Sequence, residues 1–530
     1  MTTKDLIQSG KAILGIEFGS TRIKAVLIDD DHKPIAQGSH EWENQLVDGL
    51  WTYGIDRIWY GLQDCYADLR KNVLAQYGCE IENLAAIGIS AMMHGYMAFG
   101  HDDKILVPFR TWRNTNTGAA AAELSKLFNY NIPLRWSISH LYQCILNNDE
   151  HVKEITYLTT LAGYIHWRLT GKKVLGVGDA SGMIPVDPKT KSYNAEMVAK
   201  FNELIAPKGY SWKLEDILPQ SISAGEDAGT LTPHGAERLD ISGHLKPGAV
   251  MCPPEGDAGT GMAATNAVKQ RTGNVSAGTS SFSMIVLEKD LSKPYEPIDI
   301  VTTPDGSLVA MVHCNNCTSD INAWVGLFKE YQELLGVPVD MNEVYGKLFN
   351  KALEGDADCG GLVAYNYISG EPITGCQEGR PMFVRSATDK FNLANFMRAT
   401  LSAAIGVLKI GNDILINEEK IKIDRITGHG GYFKTAGVGQ RLLANALNSP
   451  ISVMETAGEG GAWGIALLAA YSVNNAEKQS LADYLEEKVF HGNTGFEISP
   501  LPEEVEGFNK YIERYKAALP IQQCAPQHLS

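Results

Sequence analysis

The chain has 530 residues, 44% hydrophobic and 20% charged, with a net charge of −16 and a pI of about 5.3. Such acidity repels phosphodiester backbones and anionic membranes, which argues against nucleic-acid and membrane partners, and the length exceeds what one hydrophobic core supports, which predicts at least two domains. The opening residues lack the apolar core of a secretion signal, the longest apolar stretch (near 461–473) is too short to span a bilayer, and nine scattered cysteines suit reduced thiols, so the expected location is cytoplasmic.

In chain order, the first patterned segment is a strand-like run from Ala12 to Phe18, followed by a second from Ile23 to Asp29. Gly19-Ser20-Thr21 between them predicts a hairpin turn, and the polar run from Asp29 to Pro34 predicts another. Ile58, Leu62, Cys65, Leu69 and Val73 recur at helical spacing and predict a helix over about 56–77; Leu84–Ser90 then reads as a buried strand. The second half begins in the same way. Residues 274–277 lead into Gly278-Thr279-Ser280, and Phe282–Glu288 continues as strand. An apolar residue stands seven positions after each hairpin glycine, Val26 and Ile285, which suggests two related domains joined near 265–272. Helices are expected over 393–416, 440–447 and 461–471, with a polar helical tail from about Glu503.

Glycine, serine and threonine in a hairpin tip can wrap phosphate oxygens through backbone N–H and hydroxyl donors. The chain has no P-loop motif. Glu17 could hold a magnesium ion through water and Lys24 could neutralise phosphate; both residue types also suit a solvated strand end. In Pro253-Pro254-Glu255-Gly256-Asp257-Ala258-Gly259, an aspartate precedes the apolar run Met262-Ala263-Ala264. Asp257 therefore belongs at a helix N-terminus, either as a cap or as the base that phosphoryl transfer to an alcohol needs. His94, in Met92-Met93-His94-Gly95, could hydrogen-bond a sugar hydroxyl or be a satisfied core histidine. Trp112, Asn114 and Asn116 offer an aromatic face and amides in what could equally be a polar loop. Gly430-Gly431-Tyr432, after a strand over 424–427, would let an adenine lie flat or form a tight turn. Cys314 and Cys317 read as small buried side chains, since no second pair completes a zinc site.

The ordered motifs GIEFGSTRIK, SAMMHG, TWRNTN, GDASG, PEGDAGTG, SAGTSS, SGE and GHGG resemble those of the FGGY carbohydrate kinases, closest to the xylulokinase branch, from about residue 12 to 471. The resemblance implies an α/β fold of two actin-like (RNase H-like) domains, with mixed sheets flanked by helices and a cleft between them. It implies a mainly sugar-binding block, 1–268, and a mainly ATP-binding block, 269–530. It further implies ATP and Mg²⁺ as cofactors and a ketopentose or similar polyol as substrate; independently of it, a symmetric dimer is the default assembly. Carried over by residue, Asp257 matches the catalytic aspartate; Gly19, Ser20 and Thr21 match the first phosphate hairpin and Gly278, Thr279 and Ser280 the second. Gly430 and Gly431, with Tyr432 beside them, match the adenosine motif. Met93 and His94 match the ketopentose contacts, and Trp112 opens the loop that lines the sugar site. Glu17, Met92, Asn114 and Asn116 depart from the family pattern, and the two asparagines are expected to alter hydroxyl recognition. Two other readings fit the fold: an actin- or chaperone-like ATPase, and a sugar-sensing homologue without catalysis.

Overall fold

Strands Ile13–Phe18 (β1) and Arg22–Ile28 (β2) pair antiparallel, with Glu17 opposite Lys24 and Phe18 opposite Ile23. Pro34–Glu41 (β3) extends the hairpin, and Ala86–Ala91 (β4), buried at every position, joins β1 in parallel with Ser90 beside Glu17. Val250–Met251 (β5) and Glu255–Gly256 (β6) both add to β4, so the sheet runs β5-β4-β1-β2-β3. A fully buried parallel strand needs a continuous apolar run, which is what β4 carries. The helix Ile55–Tyr77 lays Ile58, Leu62, Cys65, Leu69 and Val73 into this core, the positions its sequence period selects.

The pattern recurs in Thr272–Ala277 (β7), Ser281–Val286 (β8), Leu308–Cys314 (β9), Arg425–His429 (β10), Ile451–Val453 (β11) and Phe496–Ile498 (β12). Here too the opening strand pairs antiparallel with the next and parallel with a later one, β10; the seven-stranded sheet runs Asp299–Thr302, then β9-β8-β7-β10-β11-β12. Two sheets of matching topology, each opened by a Gly-Ser/Thr hairpin, match the related halves suggested by Gly19–Thr21 and Gly278–Ser280.

The structure is a computed structural model, which describes residues 1–454, 460–493 and 495–529. The chain forms two compact units. The first comprises Met1–Val268, Ile300–Val309 and Glu459–Asn493; the second comprises Lys269–Asp299, Ala310–Gly458 and Thr494–Ser530. They are therefore not the contiguous blocks 1–268 and 269–530 of the sequence reading. The physical reason lies in the helix Gly460–Asn474, apolar on all sides, which packs across β1, β4 and the helix Asp257–Ala264. A side chain at Gly15 would come within 2.1 Å of the Ala462 carbonyl, and one at Gly464 within 2.0 Å of that of Thr260. Gly15→Ala is expected to destabilise the first unit by about 1–3 kcal/mol, seen as a lower denaturant midpoint, because the backbone of a packed helix must shift to admit the methyl group.

Among the described residues the longest apolar helix is Leu393–Asp413 of the second unit, continuing to Glu418, rather than the 461–473 stretch. It is long and apolar enough to cross a membrane, but 78% of its most apolar window is buried inside the protein, as befits a core helix. The tail forms the helix Pro502–His528, whose Tyr511 and Tyr515 pack into this unit. Tyr515 donates to the Tyr367 hydroxyl at 2.9 Å, and Tyr365 donates to the Tyr515 carbonyl at 2.6 Å. All nine cysteines are free thiols; Cys314 and Cys317 are buried, and burial pushes the Cys317 thiol up to about 12.

Candidate functional site

The first hairpin is held from behind by aromatic residues. The Trp42 indole N–H donates to the Gly19 carbonyl at 2.8 Å, Tyr53 Oη donates to the Ser20 carbonyl at 2.6 Å, and the Trp42 and Tyr53 rings stack at 4.1 Å. These bonds occupy the Gly19 and Ser20 carbonyls, and the tip leaves Thr21 exposed and Ser20 half-buried, two residues that can donate to an oxyanion. Trp112 Nε1 donates to Ser20 Oγ at 3.1 Å, so the Ser20 hydroxyl must direct its own proton elsewhere. Trp112→Phe keeps an aromatic ring, though a smaller one, and loses this bond. It is expected to raise the KM for ATP about 3- to 10-fold with little change in melting temperature.

Asn114 sits apart from this chemistry. It is buried, its Oδ1 accepts from Trp51 N at 2.9 Å, and its Nδ2 donates to the carbonyls of Trp51 at 2.7 Å and Thr111 at 3.0 Å. Its amide fastens the loop to the strand Leu50–Thr52: both Nδ2 hydrogens are spent and one acceptor position on Oδ1 remains, so the side chain serves chiefly to hold the loop. Asn116 is exposed.

Asp257 is the first residue of the helix Asp257–Ala264, with Gly256 as the cap. It is open to solvent, and its Oδ1 accepts from Met93 N at 3.2 Å. Crowding by surrounding protein raises its carboxyl to about 6, against the pull of backbone N–H donors and the charge of Arg135. Glu17, at the end of β1, is raised to about 7, first by burial and then by the charge on Asp257; Lys24, across the ladder, opposes the shift. A side chain at Gly461 would lie 2.2 Å from Glu17 Oε1, so only glycine lets the 460–474 helix approach this carboxylate. Two carboxylates and a lysine are thus brought together beside the first hairpin.

Met93 and His94 adjoin them. His94 adopts φ 69°, the left-handed region that non-glycine residues seldom occupy, and Gly95 follows at 88°. His94 Nδ1 lies 3.0 Å from the Gly182 carbonyl and therefore carries a hydrogen, and its ring stacks with that of Trp136 at 6.2 Å. A side chain at Gly256 would meet Met93 Cγ at 2.2 Å, and one at Gly182 would meet His94 Nδ1 at 2.7 Å. Beneath lies a pair that the sequence reading did not single out. Glu255 Oε2 accepts from Asp179 N at 2.9 Å and Oε1 from Gly178 N at 3.2 Å, while Asp179 Oδ2 accepts from Thr160 Oγ1 at 2.6 Å. Burial raises Glu255 to about 8 and Asp179 to about 7, the charge of Asp257 adding to the latter. The GDASG motif carried Asp179, but its spacing to Glu255 gave no sign of contact.

In the second unit, the Gly278 carbonyl accepts from Thr318 N at 2.9 Å and Thr318 Oγ1 at 2.7 Å, and the Thr279 carbonyl accepts from Cys317 N at 2.9 Å. The second hairpin thus has its carbonyls tied back like the first. Thr279 is exposed at the tip, with Gly278 and Ser280 half-buried beside it. Glu371, from the SGE motif, accepts from the backbone N–H groups of Asn315 and Asn316 and fixes that supporting loop. Gly430 adopts φ 102°, and a side chain there would lie 2.5 Å from the Ala277 carbonyl, so the Gly430-Gly431 turn abuts the hairpin. Both glycines are exposed. Tyr432 is fully buried and its hydroxyl donates to the Leu401 carbonyl at 3.0 Å, so its side chain supports the turn from the core, turned away from the exposed glycines.

Among known proteins, the chain is 20% identical over 515 residues to a xylulose kinase from Haemophilus influenzae, covering 95% of this chain and 98% of that one. It is 22% identical to one from Lactococcus lactis, covering 87% of each. Its fold matches two solved structures from Lactobacillus acidophilus. One is a gluconate kinase, with TM-score 0.79, 19% identity and 98% and 100% of the two chains covered. The other is a ligand-bound xylulose kinase, with TM-score 0.78, 20% identity and 98% and 99% covered. Residues 12–243 match the N-terminal domain of the FGGY family of carbohydrate kinases and residues 273–473 its C-terminal domain, so the chain belongs to that family and is an ATP-dependent sugar kinase.

Proposed function

We propose that the enzyme phosphorylates a ketopentose such as xylulose, with Asp257 as the base. The observation that carries this reading is an accessible carboxylate with a pKa of about 6, oriented by the Met93 N–H, next to His94 and Glu17. A base with that pKa is ionised at neutral pH and still basic enough to take a hydroxyl proton as charge develops. The sugar hydroxyl gives its proton to Asp257, and its oxygen bonds to the γ-phosphorus as the bond to the β-γ bridging oxygen breaks. His94 and Met93 hold the sugar. Ser20 and Thr21 of the first hairpin donate to phosphate oxygens. In the second unit, the exposed backbone at Gly278–Ser280 and Gly430–Gly431 suits nucleotide binding.

The residues fit a magnesium ion that keeps most of its waters and takes one or two carboxylates plus phosphate oxygens. Glu17 would hold it through water, and a cation there would relieve the like-charge strain between Glu17 and Asp257. When bound, it supplies charge neutralisation on the phosphates.

A coupled ADP-release screen over pentuloses, hexuloses, aldonates and polyols tests the reading. Xylulose or a near isomer should give the highest kcat/KM; ADP release that no sugar stimulates would favour an ATPase, and sugar binding without product a sensor. Asp179 bears on the pH profile. Burial, with the charge on Asp257 added, holds the Asp179 carboxyl well above its ordinary value, at about 7. Asp179→Asn mimics the neutral acid and is expected to leave the acid limb of kcat/KM near pH 6; a limb displaced by a full unit would show that Asp179 titrates first.

A further inference from the structure

Three segments of the first unit meet behind the candidate base, and each touches the other two. Residues 255–257 carry Asp257, residues 93–95 carry His94, and the turn 177–182 carries Asp179. Asp257 Oδ1 accepts from Met93 N at 3.2 Å, which ties the base to the loop that carries His94. His94 Nδ1 donates to the Gly182 carbonyl at 3.0 Å, which ties that loop to the turn. Glu255 closes the triangle: its Oε2 accepts from Asp179 N at 2.9 Å and its Oε1 from Gly178 N at 3.2 Å. No step of the transfer uses Glu255, yet the chain makes room for it. A side chain at Gly176 would lie 2.3 Å from Oε1, and one at Gly178 would lie 2.4 Å from Oε2. Glu255 is fully buried, a place a carboxyl keeps only where its oxygens are hydrogen-bonded.

The turn is braced well enough to pass a displacement on. Ser181 N donates to the Val177 carbonyl at 3.0 Å, Gly182 N to that of Asp179 at 3.0 Å, and Ser181 Oγ to that of Gly178 at 2.6 Å. Residues 177–182 therefore move as one body, and the grip of Glu255 on Gly178 and Asp179 fixes where the Gly182 carbonyl meets His94. Glu255 also stands two residues before Asp257, so one side chain sets the base and the imidazole in a common frame. A hydroxyl held by His94 must lie within hydrogen-bond reach of Asp257, and a misplacement of about 1 Å can cost on the order of 100-fold in rate. Without Glu255 the turn keeps its bond from Gly176 N to the Pro254 carbonyl, at 2.8 Å, so it would shift rather than detach.

We propose that Glu255 is a positioning residue for the phosphoryl transfer, holding the 177–182 turn so that His94 and Asp257 address the same sugar hydroxyl. This role rests on the reading of His94 as a sugar contact and Asp257 as the base. Glu255→Gln tests it, because both oxygens of a carboxyl can accept hydrogen bonds and the amide nitrogen of glutamine cannot. The variant should lose on the order of 10- to 100-fold in kcat/KM for the sugar, with the KM for ATP within about twofold and the circular dichroism spectrum unchanged. Gly178→Ala alters no polar group but drives a methyl group against Oε2. It should move the same constants in the same direction, and it carries the test where the glutamine variant folds poorly. A double-mutant cycle with His94→Ala shows whether Glu255 acts through the imidazole: the loss caused by Glu255→Gln should shrink to less than about threefold once the ring is gone. An unchanged kcat/KM for the sugar in both single variants, sugar and ATP constants that move together, or losses that multiply in the double variant would each overturn the proposal. His94→Ala alone separates this role from the sugar reading. An unchanged sugar KM there overturns both, whereas a raised one beside any of those three results overturns the positioning role alone.

Discussion

Asp257→Asn is expected to lower kcat on the order of 10³-fold while ATP affinity stays within about twofold, because the amide keeps the shape and the Met93 hydrogen bond but cannot accept the substrate proton. The pH dependence gives a second signature with a definite sign. Crowding holds the Asp257 carboxyl above its ordinary 3.8, at about 6, so the active form is lost as pH falls through that value. Wild-type kcat/KM should therefore rise with pH and level off above about 7, and the residual activity of the asparagine variant should show no such limb. Stopped assays of sugar phosphate from mildly acidic to mildly alkaline pH, with nucleotide binding by calorimetry, give both readouts. A limb that persists in the variant would assign the titration to another group, with Glu17 and Asp179, both at about 7, next in line.

His94→Ala is expected to raise the sugar KM on the order of 10- to 100-fold while the KM for ATP changes little. The structure explains why the effect should fall on the sugar. The ring is fixed by the Gly182 carbonyl and by stacking on Trp136, and its backbone is held in the left-handed region next to Gly95. Strain of that kind persists where the surroundings impose it for a purpose. Alanine keeps the backbone position but empties the space beside Met93 and Gly256. Initial-rate kinetics with each substrate varied in turn separates the two constants, and an unchanged sugar KM would remove His94 from the sugar site.

Much of this was legible in the residues themselves. β1, β2, β7 and β8 stand out as apolar runs around Gly-Ser/Thr turns, and the 55–77 helix as a regular apolar stripe. Asp257 declared itself by standing among small residues before an apolar helix. What stayed hidden depends on partners far apart in sequence. Asn114 looked like a polar loop residue available to a ligand, yet its partner Trp51 lies 63 positions away. Tyr432 adjoins two exposed glycines but turns into the core, and nothing local marks that turn. The helix Leu161–Thr170 is buried on nearly every side and so shows no clear one-faced period. Asp179 and Glu255 lie 76 residues apart, and only the fold reveals that one caps the other's backbone.

The return of residues 460–493 to the first unit bears on how the protein is made. Ribosomal synthesis runs from the N-terminus, and early domains generally fold before later ones emerge. Here the sheet that carries Glu17 is complete once residue 256 has emerged, but the helix that seats against Gly15 arrives some two hundred residues later. Until then the nascent chain displays an apolar sheet face with nothing on it. A fragment ending at Val268 should therefore aggregate or recruit holdase chaperones during expression. Supplying residues 460–493 as a separate peptide should return it to solution.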